Sequence, residues 1–356
     1  MLGRQPPRRT HSTHDDMKLA TYKDGSRDGQ LIVVSRDLST AHFANGIATR
    51  LQQLLDDWNF IAPQLDEIYT GLNHGRLRHA FAFDPKLCMA PLPRAFHHVE
   101  ATNAYPAHAQ RVAAALGLQA VDTREPLLAQ RGSDELLGAE QRARFASEAL
   151  GIDFGAGLVA LTGDLPQGVA AAQALEGVRL LMLANGWSLR SLQAAELAGG
   201  QGLLHSRPAT AFAPVAVTPD ELGEAWHKGR VQLTVQTMWN GRKVGLLDAG
   251  GADLQFHFGE LIAQAARLRP LRAGSLVGAG TVANDDASRG YGCVAEKRGL
   301  EVADGGEAKT ETLKFGDTVR IDIKGRDGQS VFGAIDQEVV SLAEPETTAA
   351  DAAASA

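Results

Sequence analysis

The stretch GIDFGAGLVALTGDLPQG, Gly151 to Gly168, decides the fold. Its centre, Leu158 to Leu161, is an apolar run closed by Thr162-Gly163-Asp164 and Pro166, which reads as a buried strand ending in a turn. Side chains on a strand alternate between faces, so Asp153, Gly155 and Gly157 are expected to share one face. Two carboxylates at such positions could share a divalent cation, yet two of these three residues carry no side chain.

Upstream, Leu31 to Val34 reads as a strand, and Ile47, Leu51, Leu54, Leu55 and Trp58 recur at the spacing of one helical face. Pro106 opens a helical segment that passes Val112 and Leu116 and stops at Gly117. Thr218-Pro219-Asp220-Glu221 resembles a capping box and predicts a further helix. VQLTVQTMW alternates strictly and meets RKVGLL across Asn240-Gly241, the strongest hairpin signal in the chain. A second hairpin is expected in TVRIDIKGRDGQSVFGAI, turned between Gly325 and Gly328. Ser275 to Val277 reads as a strand ended by the glycine turn Gly278-Ala279-Gly280-Thr281. Strands with scattered helices and many glycine turns predict an α+β architecture dominated by β structure, not a doubly wound parallel sheet. The expected divisions are a small N-terminal mixed domain over 17–93 and a larger domain over 94–341, with a disordered extension, 1–16, and a disordered tail, 342–356, that lacks apolar bulk.

Composition narrows the classes of function. With 356 residues, 44% hydrophobic and 22% charged, the chain can bury two cores and reads as globular. A net charge of −7 without a basic run argues against a nucleic-acid partner and for small molecules or proteins. Cys88 and Cys293 are too few for a disulfide framework and suit a reducing, cytoplasmic setting. Apolar runs are too short for a membrane helix, and the Arg-rich first residues lack the apolar core of a secretory signal.

The segments GIDFGAG, MAPLPRAF from Met89, ALEGVRLLMLANGWSLRSLQ from Ala174, RPATAFAPVAVTPDELGEAW from Arg207, AGSLVGAGTVAN from Ala273 and KFGDTVRIDIKGRDG from Lys314 occur in an order that resembles the fumarylacetoacetate hydrolase family, specifically its bacterial two-domain branch. The resemblance spans the chain from Met17 to Gln337 and implies a mixed β-roll or sandwich, usually a homodimer. In that family the strand reads D-F-E-x-E, and a further Asp precedes the Ser of N-D-x-S-x-R; these three carboxylates hold magnesium or calcium. The matching positions here are Gly155, Gly157 and Gly186, so the resemblance implies a vacated metal site and no cofactor.

The same resemblance points to the remaining candidates. Tyr105-Pro106-Ala107-His108 matches a segment whose His activates water with a nearby carboxylate, and that carboxylate's position has become Gln110, so the partner is expected to be lost. Trp187, Ser188, Arg190 and Gln193 keep their pattern, and Arg207 stands at a Lys position; a planar guanidinium favours gripping a carboxylate over carrying protons. Gly280 and Thr281 match a turn that meets the substrate carboxylate. Catalytic roles are thus expected for His108, Gln193 and Arg207, and substrate contacts for Tyr105, Trp187, Arg190, Gly280 and Thr281.

Other signals carry less. His97, His98 and Glu100 with His108 include zinc or iron ligand types, but strand alternation allows only one of the adjacent pair to join, and a loop cluster without metal is the preferred reading. Gly278 to Ala283 imitates a dinucleotide loop, but Asn284-Asp285-Asp286 would repel a pyrophosphate. A G-x-S-x-G elbow is missing. The expected function is a repurposed, metal-independent enzyme acting on a keto acid, 1,3-dicarbonyl or related carbonyl compound by cyclisation, isomerisation or dehydration, in biosynthesis or degradation. The alternative is a non-catalytic homologue, either a ligand-binding protein or a subunit of an active relative. A conventional C–C hydrolase or decarboxylase stands behind both.

Overall fold

The computed structural model describes residues 16–121, 123–200 and 202–345; the disorder expected for 1–15 and 346–356 lies outside the described residues. Strands β1 (Lys18–Tyr22), β2 (Gln30–Val34) and β3 (Thr40–Phe43) lead into helices α1 (Leu51–Asp56) and α2 (Trp58–Asn73), and the chain returns to the sheet edge as β4 (Phe81–Ala82). The larger part starts with β5 (His97–Ala101), α3 (Pro106–Ala115), β6 (Leu128–Gln130) and β7 (Ala143–Phe145). Its centre holds β8 (Ile152–Asp153), β9 (Ala156–Thr162), α4 (Ala171–Glu176), β10 (Val178–Asn185), β11 (Ser188–Leu189) and α5 (Arg190–Gly199). Next come β12 (Ala211–Phe212), β13 (Val215–Val217), the short pair β14 (Trp226–His227) and β15 (Arg230–Val231), then β16 (Thr234–Trp239), β17 (Arg242–Asp248), α6 (Phe258–Ala265) and β18 (Ser275–Thr281). Helix α7 (Val294–Gly305) precedes β19 (Thr318–Ile323) and β20 (Ile335–Ser341).

Among the described residues the large sheet runs β4-β3-β2-β1-β13-β10-β9-β18-β5-β6, with β12 beside β10, and a smaller sheet runs β17-β16-β19-β20-β7. Because β1 pairs with β13 (Leu19 opposite Ala216), the N-terminal strands extend the sheet of the larger part instead of forming their own. Both faces of the large sheet are covered, which explains why β9 reads as an unbroken apolar run. Leu158 and Ala160 join one core, while Val159 and Leu161 join the other with α1 and α2.

Several local expectations need correction. The strand from Asp153 to Gly157 is broken: β8 ends at Asp153 and β9 begins at Ala156, so Asp153 leaves the face it was expected to share with the glycines. Glycine 280 does not sit in a turn, because β18 continues to Thr281; its register on β9 slips between Gly278 and Thr281, and Gly280 adopts φ +80° where a Cβ would lie 2.3 Å from the carbonyl oxygen of Ala101. The helix expected after Thr218 is only a 3-10 turn over Asp220–Ala225, because Gly223 takes φ 52° and interrupts it. The helical face from Ile47 to Trp58 is divided at Asp57, and Ile47 precedes α1. His97 to Glu100 lie on β5, not on a loop. The Asn240-Gly241 hairpin forms between β16 and β17, with both turn residues at positive φ.

Candidate active site

The ends of β9, β10, β18 and β5 meet the N-terminal ends of α3, α5 and α7. Strand register sets this: Gly157 lies opposite Ala184 on one side and Thr281 on the other, and Gly278 of β18 is beside Glu100 of the parallel strand β5. A cavity of about 170 Å³ opens there, lined by His108, Arg131, Arg190, Gln193, Arg207 and Thr281 among others. Gly280 also lines it. Six of the eight proposed site residues are therefore brought together. Tyr105 and Trp187 are not: each is buried, the Tyr105 hydroxyl donating to the Ala249 carbonyl at 2.6 Å and the Trp187 Nε1 donating to Gln337 Oε1 at 3.1 Å.

His108 has the carboxylate partner that its own helix lacks. Pro106 starts α3 and places His108 in its first turn. Helix α7 crosses α3 so closely that a Cβ on Gly299 would lie 2.0 Å from the Arg111 carbonyl oxygen. One turn earlier on both helices, His108 Nδ1 meets Oε1 of the fully buried Glu296 at 2.5 Å, and Glu296 Oε2 accepts from the Gly292 amide at 3.0 Å. The expected loss of the His108 partner is thus wrong, because Gln110 is replaced by a residue from a distant helix.

Asp153 serves that same helix. Its Oδ1 accepts from the Val294 amide at 2.7 Å, and Oδ2 accepts from the Ala295 amide at 3.0 Å and from Arg190 Nε at 2.8 Å. A carboxylate at a helix N-terminus offsets the positive end of the helix dipole. Burial alone would lower the Arg190 pKa, but Asp153 raises it above the ordinary arginine value. Arg190 Nη1 in turn donates to Gln193 Oε1 at 2.8 Å, which leaves the Gln193 amide NH₂ for the cavity.

Beneath the cavity, Arg131 fills the space beside Gly186. Its Nε donates to Glu100 Oε2 at 2.5 Å and its Nη1 to the Trp187 carbonyl at 3.2 Å, while Nη2 is 2.6 Å from where a Cβ on Gly186 would stand. Arg207 Nη1 is 3.5 Å from the same Glu100 oxygen, and it is buried without a hydrogen-bond acceptor. Burial pushes the Glu100 carboxyl up, but Arg131 and Arg207 outweigh it and hold it at about 2. Burial, then Arg131, pushes Arg207 below the ordinary arginine value, and it keeps its charge at neutral pH. His98, beside this group, is held at about 4 mainly by burial. Sequence reasoning missed Arg131 and Glu296.

Gly155 and Gly157 are closed in by main chain. A Cβ on Gly157 would be 2.5 Å from the Gly280 carbonyl oxygen, and one on Gly155 would be 2.9 Å from the Gly186 carbonyl oxygen. Elsewhere among the described residues, His108, Cys293 and Glu296 present possible ligand atoms within 4.8 Å of one another. The buried Cys293 thiol is pushed well above its usual value by burial, Asp153 and Glu296, and the other two groups already engage each other, so the trio suits an acid–base pair better than a metal centre. His97 faces Arg269 and Glu100 is occupied by arginines, so neither is available to complete the histidine cluster considered from sequence.

No helix among the described residues is long and apolar enough to cross a membrane. No curated protein matches the chain. Among solved structures, a 5-carboxymethyl-2-hydroxymuconate delta-isomerase from Mycobacterium smegmatis is similar with a TM-score of 0.57 and 16% identity, over 92% of this chain and 100% of that one. A 2-hydroxyhepta-2,4-diene-1,7-dioate isomerase from Mycobacterium marinum gives a TM-score of 0.56 at 16% identity, with the same coverage of each. A maleylpyruvate hydrolase from Sphingobium sp. SYK-6, in complex with manganese(II) ion and pyruvate, gives 0.60 at 16% identity, over 91% of this chain and 99% of that one. The pattern described as Fumarylacetoacetase N-terminal domain 2 matches residues 17–94, and that described as Fumarylacetoacetate (FAA) hydrolase C-terminal matches residues 97–340. With most of its length matched, the chain belongs to the fumarylacetoacetate hydrolase family.

Proposed function

We propose that this protein is a metal-independent enzyme that binds the anion of a keto acid or 1,3-dicarbonyl and moves a proton at the carbon next to the carbonyl, the step shared by isomerisation, cyclisation and dehydration. The observation that carries the reading is the His108–Glu296 pair on one wall of a cavity that also presents the guanidiniums of Arg131, Arg190 and Arg207. Glu296 holds Nδ1 and fixes the ring, leaving Nε2 to take the substrate proton and return it. Arg207, with a buried donor that no protein group accepts, grips the substrate carboxylate. The Gln193 amide and the Thr281 hydroxyl bind the carbonyl oxygen as it gains charge, and Arg131 supplies a fixed positive field beneath it.

The residues at the three glycine positions do not fit a hard divalent ion. Such an ion is held by oxygen ligands that include at least one or two protein carboxylates. Here those positions have no side chains, a side chain on Gly157 would strike the backbone of β18, and the Glu100 carboxylate is bound by Arg131 and faces Arg207. The pyruvate held by the maleylpyruvate hydrolase of this fold supports a 2-oxo acid as the ligand.

Proton exchange next to the carbonyl of 2-oxo acids and 1,3-dicarbonyls, followed by NMR in D₂O, tests the reading. The wild type is expected to catalyse exchange with or without a chelator, and His108→Ala to slow it by about 100-fold or more. Exchange that is absent for every probe, or that is lost on chelation, overturns it.

A further inference from the structure

We infer that the substrate is amphipathic: a 2-oxo acid or related dicarbonyl anion that carries an extended apolar chain, not a second carboxylate. This inference rests on the proposed function and concerns the same cavity. His108 and Val112 of helix α3 and Leu116 at its C-cap line it, residues spaced by four with the small Ala109 and Ala113 between them, and Val112 and Leu116 also pack on Cys293 and Ala295. These positions form one helical face, which runs about 12 Å from the proton-transferring His108 to Leu116. Leu197 of α5, Leu203, Leu118, Val121 and Leu127 make up the rest of its large apolar lining.

Of the polar side chains beside these residues, Gln119 carries no charge, and Asn103 and Thr102 are occupied by their own loop. Asn103 Nδ2 donates to the Glu125 carbonyl at 3.0 Å, its Oδ1 accepts from the Leu127 amide at 2.8 Å, and the Thr102 hydroxyl donates to the Leu127 carbonyl at 3.3 Å. The arginines of the cavity, Arg131, Arg190 and Arg207, gather around Glu100 and Asp153, so among the described lining residues no further guanidinium is left for a second carboxylate. Meanwhile Leu118, Val121 and Leu197 are exposed by 40%, 66% and 45%, and all three border this one opening. Large apolar residues gathered at the mouth of a charged pocket mark a ligand that is charged at one end and apolar at the other.

Calorimetric titration of the full chain with pyruvate, 2-oxoglutarate and 2-oxooctanoate tests this. Burying each methylene strengthens binding about fourfold, so partial burial of the 2-oxooctanoate chain is expected to give at least about thirtyfold tighter binding than pyruvate. 2-Oxoglutarate is expected to bind no tighter than pyruvate. Leu116→Ser and Leu197→Ser should each weaken 2-oxooctanoate about fivefold or more while leaving pyruvate unchanged. Leu197 is exposed enough that its replacement leaves the core intact. Equal affinity for pyruvate and 2-oxooctanoate, or a preference for 2-oxoglutarate, overturns the inference and leaves the proposed function standing. Failure of all three oxo acids to bind overturns the inference and removes 2-oxo acids from the proposed function.

Discussion

His108 and Glu296 lie 188 positions apart in the chain and only 2.5 Å apart in space, joined because α3 and α7 cross at Gly299. This pair restores a charged hydrogen-bond acceptor to the histidine that its own helix does not provide. Replacing His108 by Ala should lower kcat for proton exchange by about 10²–10⁴-fold, the usual contribution of a positioned acid–base group. Glu296→Gln keeps the shape and loses the charge, so kcat should fall about tenfold or more with little change in KM. An unchanged kcat in Glu296→Gln would show that the pairing is structural only.

Acid stability should carry the signature of Glu100. Its carboxyl is held at about 2 against an ordinary 4.5. A carboxylate with a lowered folded pKa contributes stability that is fully present above its unfolded value and drains away as pH falls through the folded one. The window is therefore about pH 4.5 to 2, and the size is at most on the order of 3 kcal/mol. Urea unfolding of the wild type should weaken across that window. Glu100→Gln leaves two guanidiniums without their carboxylate and should be less stable at pH 7 by about 3–5 kcal/mol, with a flatter pH dependence. Equal slopes for both proteins would remove Glu100 from the account.

Arg207 is the cavity's one buried guanidinium with a donor that no protein group accepts, among the described residues. An anionic ligand supplies the missing acceptor, so Arg207→Ala should weaken 2-oxo acid binding by about 10-fold to 100-fold, the worth of a charge-assisted hydrogen bond. Arg207→Lys keeps the charge but not the fork and should recover only part of the loss. Titration of pyruvate into the wild type and both variants gives the order directly, and full recovery in the Lys variant would show that charge alone suffices.

Much of the fold was legible because its cues are local. The apolar run of β9, the Asn240-Gly241 turn and the Pro106 to Gly117 helix each follow from residues within a few positions of one another. The resemblance carried the rest, including six residues that do line one cavity. What stayed hidden depends on contacts across the fold. Arg131 follows an undistinguished short strand and gains meaning only beside Gly186 and Glu100, and Glu296 looks like an ordinary first-turn acid of α7 until α3 packs on it. Asp153 misled for a related reason: a strand break at Phe154-Gly155 turns it from the glycine face to the end of α7, which nothing in the alternation of the sequence signals.

The glycine positions give the sharpest test of whether the site takes a divalent ion. A Cβ on Gly157 meets the Gly280 carbonyl oxygen at 2.5 Å, a main-chain atom that cannot swing aside, whereas at Gly186 it meets the end of the Arg131 side chain at 2.6 Å. Gly157→Ala should therefore destabilise the protein by about 1–3 kcal/mol through forced displacement of β18. Gly186→Asp should instead engage Arg131 as an ion pair, displace it from Glu100 and lower activity without creating an ion site. Millimolar magnesium, calcium or manganese is expected to leave the Tm of the wild type and of Gly186→Asp unchanged, since a ligand that binds only the folded state raises it. A Tm that climbs with divalent ion concentration in the wild type would place an ion in the fold and overturn the metal-independent reading.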